Sequence, residues 1–425
     1  MLLIKGGFDI SGKPLDVLIK NDRITELSGH IEKSPDMTVL DASGLTVAPG
    51  LVDIHVHFRE PGFEYKEDIL TGAEAAAAGG VTTCCCMPNT SPVADNREVV
   101  EYILDKAKNA PVKVLPFGAV TIGQKGSELT DFSELLKAGA IALSDDGNPV
   151  QSAAVMRRAM QVARMDDILI VSHCEDEELA GNYAVNEGPV SRRLGLPGRP
   201  AIAEELMVAR DAMLASETGA RVHIAHVSTA GSVDIIRKAK QAGVRITAET
   251  CPQYFTLTED EVLKQGTLAR VNPPLRTGLD IDAIITGLAD GTIDAIATDH
   301  APHTTEEKEL PLTDAPSGII GLETSLALTL TVLHHKFGFS LEQIIKLMSE
   351  NPARILGIDA GVLTAGRVAD IVIFDPNEEW IVEPSVFKSK ARNTPFGGMH
   401  LRGRVKHTIS AGMWCIPASK YIIDR

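Results

Sequence analysis

The stretch "VDIHVHFREPG", Val52 to Gly62, starts as an apolar strand pattern and ends in a loop containing proline and glycine. Residues i and i+2 of an extended strand project from the same face. His55 and His57 would therefore stand side by side just where the strand stops. What two imidazoles do at that point depends on what the rest of the chain brings to them.

The pattern recurs. Between about residue 50 and residue 303, short β-rich segments alternate with stretches of helical composition. The strand candidates are "LVDIHVH" (51–57), "GVTTCCCMP" (80–88), "VKVLPFGAV" (112–120), "AIALSDDG" (140–147), "ILIVSHCE" (168–175), "RVHIAHVS" (221–228), "VRITAETCP" (244–252) and "IDAIATDHAPH" (293–303). Between them lie helical candidates such as "EDILTGAEAAAAGG", "NREVVEYILDKAKNA", "SAAVMRRAMQVAR" and "SVDIIRKAKQAG". Strands alternating with helices imply a parallel sheet, because parallel neighbours need a long crossover. Eight such units predict an α/β fold of the (β/α)8 TIM-barrel type over residues 51–359, with a doubly wound open sheet as the alternative. Residues 1–50 and 360–425 carry short β patterns instead, and neither segment alone has enough strands for a core. They are expected to pair into one small discontinuous β domain. "SLEQIIKLMSENPARILG" (340–357) predicts a helix broken at Asn351-Pro352.

The 425 residues are 44% apolar and 23% charged, ordinary for a globular enzyme. No apolar run is long enough to span a membrane, and the first residues do not read as a signal peptide. A formal charge of −16 argues against nucleic acid or an anionic membrane as partner, though not against a small anionic substrate held by local cations. The six cysteines show no spaced disulfide framework, so reduced thiols and a cytoplasmic location are expected. In "CCC" (84–86), adjacent side chains alternate faces and cannot converge on one ion, which predicts core packing.

Five strand candidates end in metal-competent groups: His55 and His57, Asp145/Asp146, His173, His226 and Asp299. A lone histidine at any of these places would more readily be a core or loop residue. As a set at one face of a barrel they predict a metal site, since imidazole and carboxylate suit zinc and similar divalent ions. Six candidate ligands exceed what one tetrahedral ion with an open position takes. They suit two ions bridged by a carboxylate, with Asp145 or Asp146 as the bridge; spacing does not choose between them. His223 and His300 fall on the opposite faces of regular strands from His226 and Asp299 and are expected to lie outside the site.

These residues resemble the amidohydrolase superfamily and, within it, the bacterial type I dihydroorotases. "HFREPG" completes a His-x-His opening at 55–62. "MPNT" (87–90), "SDDG" (144–147), "HCED" (173–176), "HVST" (226–229), "NPPLR" (272–276), "TDHAPHT" (298–304) and "APSGIIGLET" (315–324) follow in order. The resemblance implies two Zn2+ ions, one held by His55, His57 and Asp299, the other by His173 and His226, with Asp146 between them. It also implies a small β-sandwich built from both chain ends. Hydantoinases and many other members bridge their metals with a carboxylated lysine from the fourth strand, and "AIALSDDGNPV" contains none.

The implied reaction is reversible cyclisation of N-carbamoyl-L-aspartate to L-dihydroorotate plus water, in pyrimidine synthesis. A zinc-activated hydroxide would attack the cyclic amide, and Asp299 would act as the general acid/base. The implied substrate contacts are His57, Arg59 as carboxylate clamp, Asn89, Asn272, His303, and backbone at Ser317 and Gly318. The polar run 304–314 is a candidate lid. A homo-oligomer, first of all a dimer, is expected, and association with aspartate transcarbamoylase is left open. The rivals are another cyclic amidase (hydantoinase, dihydropyrimidinase or allantoinase) and a noncatalytic scaffold for aspartate transcarbamoylase. Every ligand position is filled, which favours the enzyme.

Overall fold

The computed structural model describes residues 1–415 and, as backbone, residues 422–423. The chain opens with five strands, β1 (Leu2–Phe8), β2 (Pro14–Lys20), β3 (Arg23–Ser28), β4 (Thr38–Asp41) and β5 (Thr46–Pro49). Strands and helices then alternate: β6 (Leu51–Val56), α1 (Ile69–Ala78), β7 (Val81–Cys86), α2 (Arg97–Ala107), β8 (Lys113–Pro116) and α3 (Phe132–Ala138). The series continues with β9 (Leu143–Ser144), α4 (Ala153–Met165), β10 (Leu169–Ser172), α5 (Ile202–Thr218), β11 (Arg221–Ile224) and α6 (Ala230–Gln241). It ends with β12 (Ile246–Thr250), α7 (Gly278–Asp290) and β13 (Ala295–Ile296). After further helix come β14 (Ile371–Ile381), β15 (His400–Ser410), β16 (Met413–Trp414) and β17 (Ile422–Ile423). The helices start where a side-chain oxygen meets a free backbone N–H: Asp68 before α1, Asn96 before α2, Ser152 before α4 and Thr229 before α6.

β6, β7 and β8 pair in parallel, as do β9 through β13. Two parallel bridges, Gly118 with Leu143 and Val56 with His300, join the two sheets at both edges. Pairing therefore runs in a closed circuit, and the C-terminal ends of all its strands open on one side. That is how residues 55 and 299 become neighbours.

Alternation along the strands separates two apolar layers. Cys85, Met87, Leu169, Val171, Ala295 and Ala297 share a cluster with Val52, Ile54 and Phe117. Cys84, Cys86, Ile170 and Ile296 pack instead in the large cluster with helix residues such as Ala73, Val100, Ala159 and Val233. The three cysteines are thus divided between layers, all buried and free. Ala353, Ile355 and Leu356 join the first cluster. Their helix corrects one expectation, because the segment 341–356 stays helical through Asn351-Pro352. A wide π-turn over Lys346–Glu350 precedes the proline, which sits in the first turn of the next helix, where its missing N–H removes no bond.

The two chain ends meet in a separate sheet. β5 pairs antiparallel with β14, from Pro49 with Ile371 to Thr46 with Phe374; β14 pairs with β15, and β15 with β16. β1 forks, with Leu2–Lys5 pairing β4 and Phe8 reaching Thr46 of β5, while its other edge takes β2 and then β3. Ile4, Val17, Ile19, Ile24, Val47, Ile371, Ile373 and Ile409 form a core of their own. Of the C-terminal segment expected in this β domain, residues 416–421 and 424–425 lie outside the described residues. Among the described residues no helix is long and apolar enough to cross a membrane.

Candidate active site

Asp146 stands among all four candidate histidines. Its Oδ1 lies 3.5 Å from His55 Nε2, 3.3 Å from His173 Nδ1 and 3.4 Å from His226 Nε2, and its Oδ2 lies 3.4 Å from His57 Nε2. Asp299 Oδ1 is 3.0 Å from His57 Nε2 and 3.6 Å from His55 Nε2. His173 Nδ1 and His226 Nε2 approach to 2.8 Å. Asp145, which spacing could not separate from Asp146, turns away and accepts from Val120 N at 2.8 Å, Thr121 N at 3.1 Å and the Thr121 hydroxyl.

The strand ends are bent to achieve this. Arg59, His226 and Asp299 follow their strands with φ of 64°, 35° and 49°, a left-handed conformation that side-chain-bearing residues rarely hold. Such backbone costs about 1–3 kcal/mol per residue and persists only where the surroundings impose it.

The donor set fits metal. His55 Nδ1 is 2.7 Å from Glu249 Oε1, and His57 Nδ1 is 2.9 Å from Asn89 Oδ1. Both acceptors keep the proton on Nδ1, so each Nε2 presents a lone pair to the carboxylates. His55 Nε2 and His226 Nδ1 are buried with no hydrogen-bond partner. Lone pairs and carboxylates thus converge in two groups, His55/His57/Asp299 and His55/Asp146/His226, whose donor atoms lie within 4.8 Å of one another.

Beside this cluster is a cationic pocket. Arg59 Nε donates to Pro302 O at 3.3 Å, and its Nη2 lies 3.4 Å from His303 Nε2. His303 Nε2 donates to Ser317 O at 3.0 Å, and Lys66 Nζ lies 3.4 Å from its Nδ1. Burial, then Arg59, Lys66 and Lys308, push the His303 pKa down to about 2, so the ring is neutral. Asn272 Nδ2 lies 3.5 Å from His173 Nε2, and its Oδ1 accepts from Arg199. The loop 304–314 is strapped down: Lys308 Nζ donates to the Pro316 and Gly318 carbonyls at 2.9 and 3.0 Å, and Arg270 donates to Leu312 O. Gly318 has φ of 138°, and a Cβ there would meet Ala301 Cβ at 2.8 Å and Ala301 O at 2.9 Å. Gly318→Ala is expected to cost about 1–3 kcal/mol of stability, read as a lower denaturant midpoint.

Relatives decide the family. A dihydroorotase from Acetivibrio thermocellus is 50% identical over 417 residues, 97% of this chain and 98% of the relative. One from Pelotomaculum thermopropionicum is 52% identical over 416 residues, 97% of each chain. The chain belongs to the dihydroorotase family. A family model described as "Dihydro-orotase-like" matches residues 44–232. Among solved structures, the L-hydantoinase (dihydropyrimidinase) from Arthrobacter aurescens superposes with a TM-score of 0.86 at 26% identity, over 97% of this chain and 95% of that one.

Within this dihydroorotase-family chain, three neighbours of the site escaped the sequence reading: Glu249, Lys66 and Arg199. Glu249 had a usable signal, a carboxylate inside the otherwise uncharged strand "ITAET". Lys66 and Arg199 lie in loops, where a cation is ordinary and nothing local marks its target. His223 bonds Glu249 Oε2 at 3.2 Å, and His300 Nδ1 accepts from Gly321 N at 3.2 Å; neither ring has a hydrogen bond or ion pair with Asp146 or Asp299.

Proposed function

We propose that the chain catalyses the reversible cyclisation of N-carbamoyl-L-aspartate to L-dihydroorotate plus water, in de novo pyrimidine (UMP) biosynthesis. The observation that carries this reading is the convergence of four histidines on Asp146, beside Asp299 and a pocket headed by Arg59. The closed strand circuit is read as a (β/α)8 barrel spanning 51–359, and the sheet of both chain ends as a small β-sandwich domain, 1–50 and 360–425. The reaction belongs in the cytoplasm, in a homo-oligomer, first of all a dimer.

His55, His57 and Asp299 are assigned to one zinc ion, His173 and His226 to a second, and Asp146 to both. Zinc held there would supply a water with its pKa lowered to about 7 and would polarise an amide carbonyl. Asp299 moves the proton between the attacking oxygen and the ring nitrogen, and in the synthetic direction takes it from the ureido nitrogen. Arg59 holds the substrate carboxylate that does not react, with Lys66 and the neutral His303 beside it. Asn89 holds His57 and directs its amide toward the substrate; Asn272 faces the ring from the His173 side. Backbone at Ser317 and Gly318 closes the pocket under the loop 304–314.

Arg59→Ala is expected to raise KM for L-dihydroorotate roughly 10- to 100-fold, since a charge-assisted hydrogen bond contributes about 1.5–3 kcal/mol. An unchanged KM in steady-state assays would remove the clamp.

The fold also matches hydantoinases, so a cyclic amidase of other specificity is the second reading. The fourth strand region, "AIALSDDGNPV", offers an aspartate and no lysine to the metals, which favours the first. Turnover of L-dihydroorotate, hydantoin and allantoin by zinc-reconstituted and chelated protein separates them. Zinc-dependent turnover of dihydroorotate alone supports the proposal; turnover of hydantoin or allantoin instead overturns it. Zinc binding with no turnover of any would favour a scaffold or a partner-dependent enzyme, with aspartate transcarbamoylase the partner to add.

A further inference from the structure

Glu249 lies in β12, fully buried, and its two oxygens go to two histidines. Oε1 is 2.7 Å from His55 Nδ1, Oε2 is 3.2 Å from His223 Nε2, and His223 Nδ1 is 2.8 Å from Thr247 Oγ1. Strand register explains the arrangement. β11 pairs His223 with Thr247, and Glu249 lies two residues further along the same face of β12.

An ionised carboxylate only accepts hydrogen bonds, so the nitrogens facing Glu249 carry the protons. His223 then has Nε2–H toward Glu249, and its Nδ1 accepts a hydrogen bond from the Thr247 hydroxyl. His55 has Nδ1–H toward Glu249, and its Nε2 is left as a lone pair. That atom has no hydrogen-bond partner and stands 3.5 and 3.6 Å from the Asp146 and Asp299 oxygens. His55 is also the residue common to both groups of converging donors. Its orientation therefore bears on the whole centre.

We infer that Glu249 is a positioning residue for the metal centre: it fixes the His55 tautomer and ring plane and strengthens His55 as a ligand, while His223 and Thr247 hold Glu249 in place. The inference rests on the metal reading above. A carboxylate behind a ligating imidazole raises the basicity of the coordinating nitrogen, and its loss typically weakens metal binding about 10- to 100-fold.

The test uses the full chain, zinc and a competing chromophoric chelator. Glu249→Gln keeps the shape but can accept from only one of the two histidines, and loses the charge. Its zinc affinity is expected to fall about 10- to 100-fold, while the metal-free protein melts at the parent's temperature. Glu249→Asp keeps the charge but withdraws it from His55, and a smaller fall is expected; it decides the matter alone if the glutamine variant does not fold. Zinc affinity within twofold of the parent in the folded variants overturns the inference, as does an affinity loss fully matched by lost stability of the metal-free protein. A parent that itself fails to bind zinc contradicts the metal reading instead, so the two failures are distinct.

Discussion

Asp299→Asn is expected to lower kcat for L-dihydroorotate hydrolysis by about 10³-fold at saturating zinc, the scale of a lost general acid/base. The carboxylate stands 3.0 Å from His57 Nε2, at the end of β13 where the pocket opens. Asparagine preserves the shape and one oxygen but cannot take up a proton at neutral pH. KM is expected to move only a few-fold, because the charged contact to substrate is assigned to Arg59. Rapid mixing or steady-state turnover decides it, and near-normal kcat would end the proton-transfer role.

The second large effect belongs to Asp146. Its carboxylate is the one acidic group within 3.5 Å of a nitrogen on each of four histidines, among the described residues. Asp146→Ala leaves His173 and His226 without the carboxylate they share, and leaves His55 and His57 with Asp299 alone before their Nε2 atoms. Removing one partner from a buried charged set costs about 3–5 kcal/mol, or roughly 10²–10⁴ in an equilibrium constant. Bound zinc after dialysis is expected to fall to one equivalent or less, with activity lost in step. Asp145→Asn is the contrast. Its oxygen can still accept from Val120 and Thr121, so the zinc content should match the parent's. Equal zinc content in Asp146→Ala and parent would contradict the bridging role.

The contrast between these two aspartates shows where sequence reading reaches and stops. Strand alternation separates Cys85 from Cys84 and Cys86, because the period of two is a property of any extended chain. It could not choose between Asp145 and Asp146, because β9 is only Leu143–Ser144 and the aspartates lie beyond it. The choice depends on Val120 and Thr121 from the neighbouring loop, which capture Asp145. Nor does regular alternation describe His226 and Asp299, whose positive φ values turn them inward only in the folded chain. Glu249 stayed hidden for a related reason. Its meaning lies in His55, 194 residues earlier, and in a cross-strand register that composition does not encode. Pro352 marked a helix break by local rule, but the π-turn before it leaves the proline in the first turn of the next helix, where no N–H bond is lost.

The measurement to make is L-dihydroorotate hydrolysis by metal-free protein as zinc is added in fractions of an equivalent. A binuclear centre bridged by Asp146 predicts activity that climbs to a plateau at about two equivalents per chain. A plateau at one equivalent, or turnover indifferent to zinc, would contradict it.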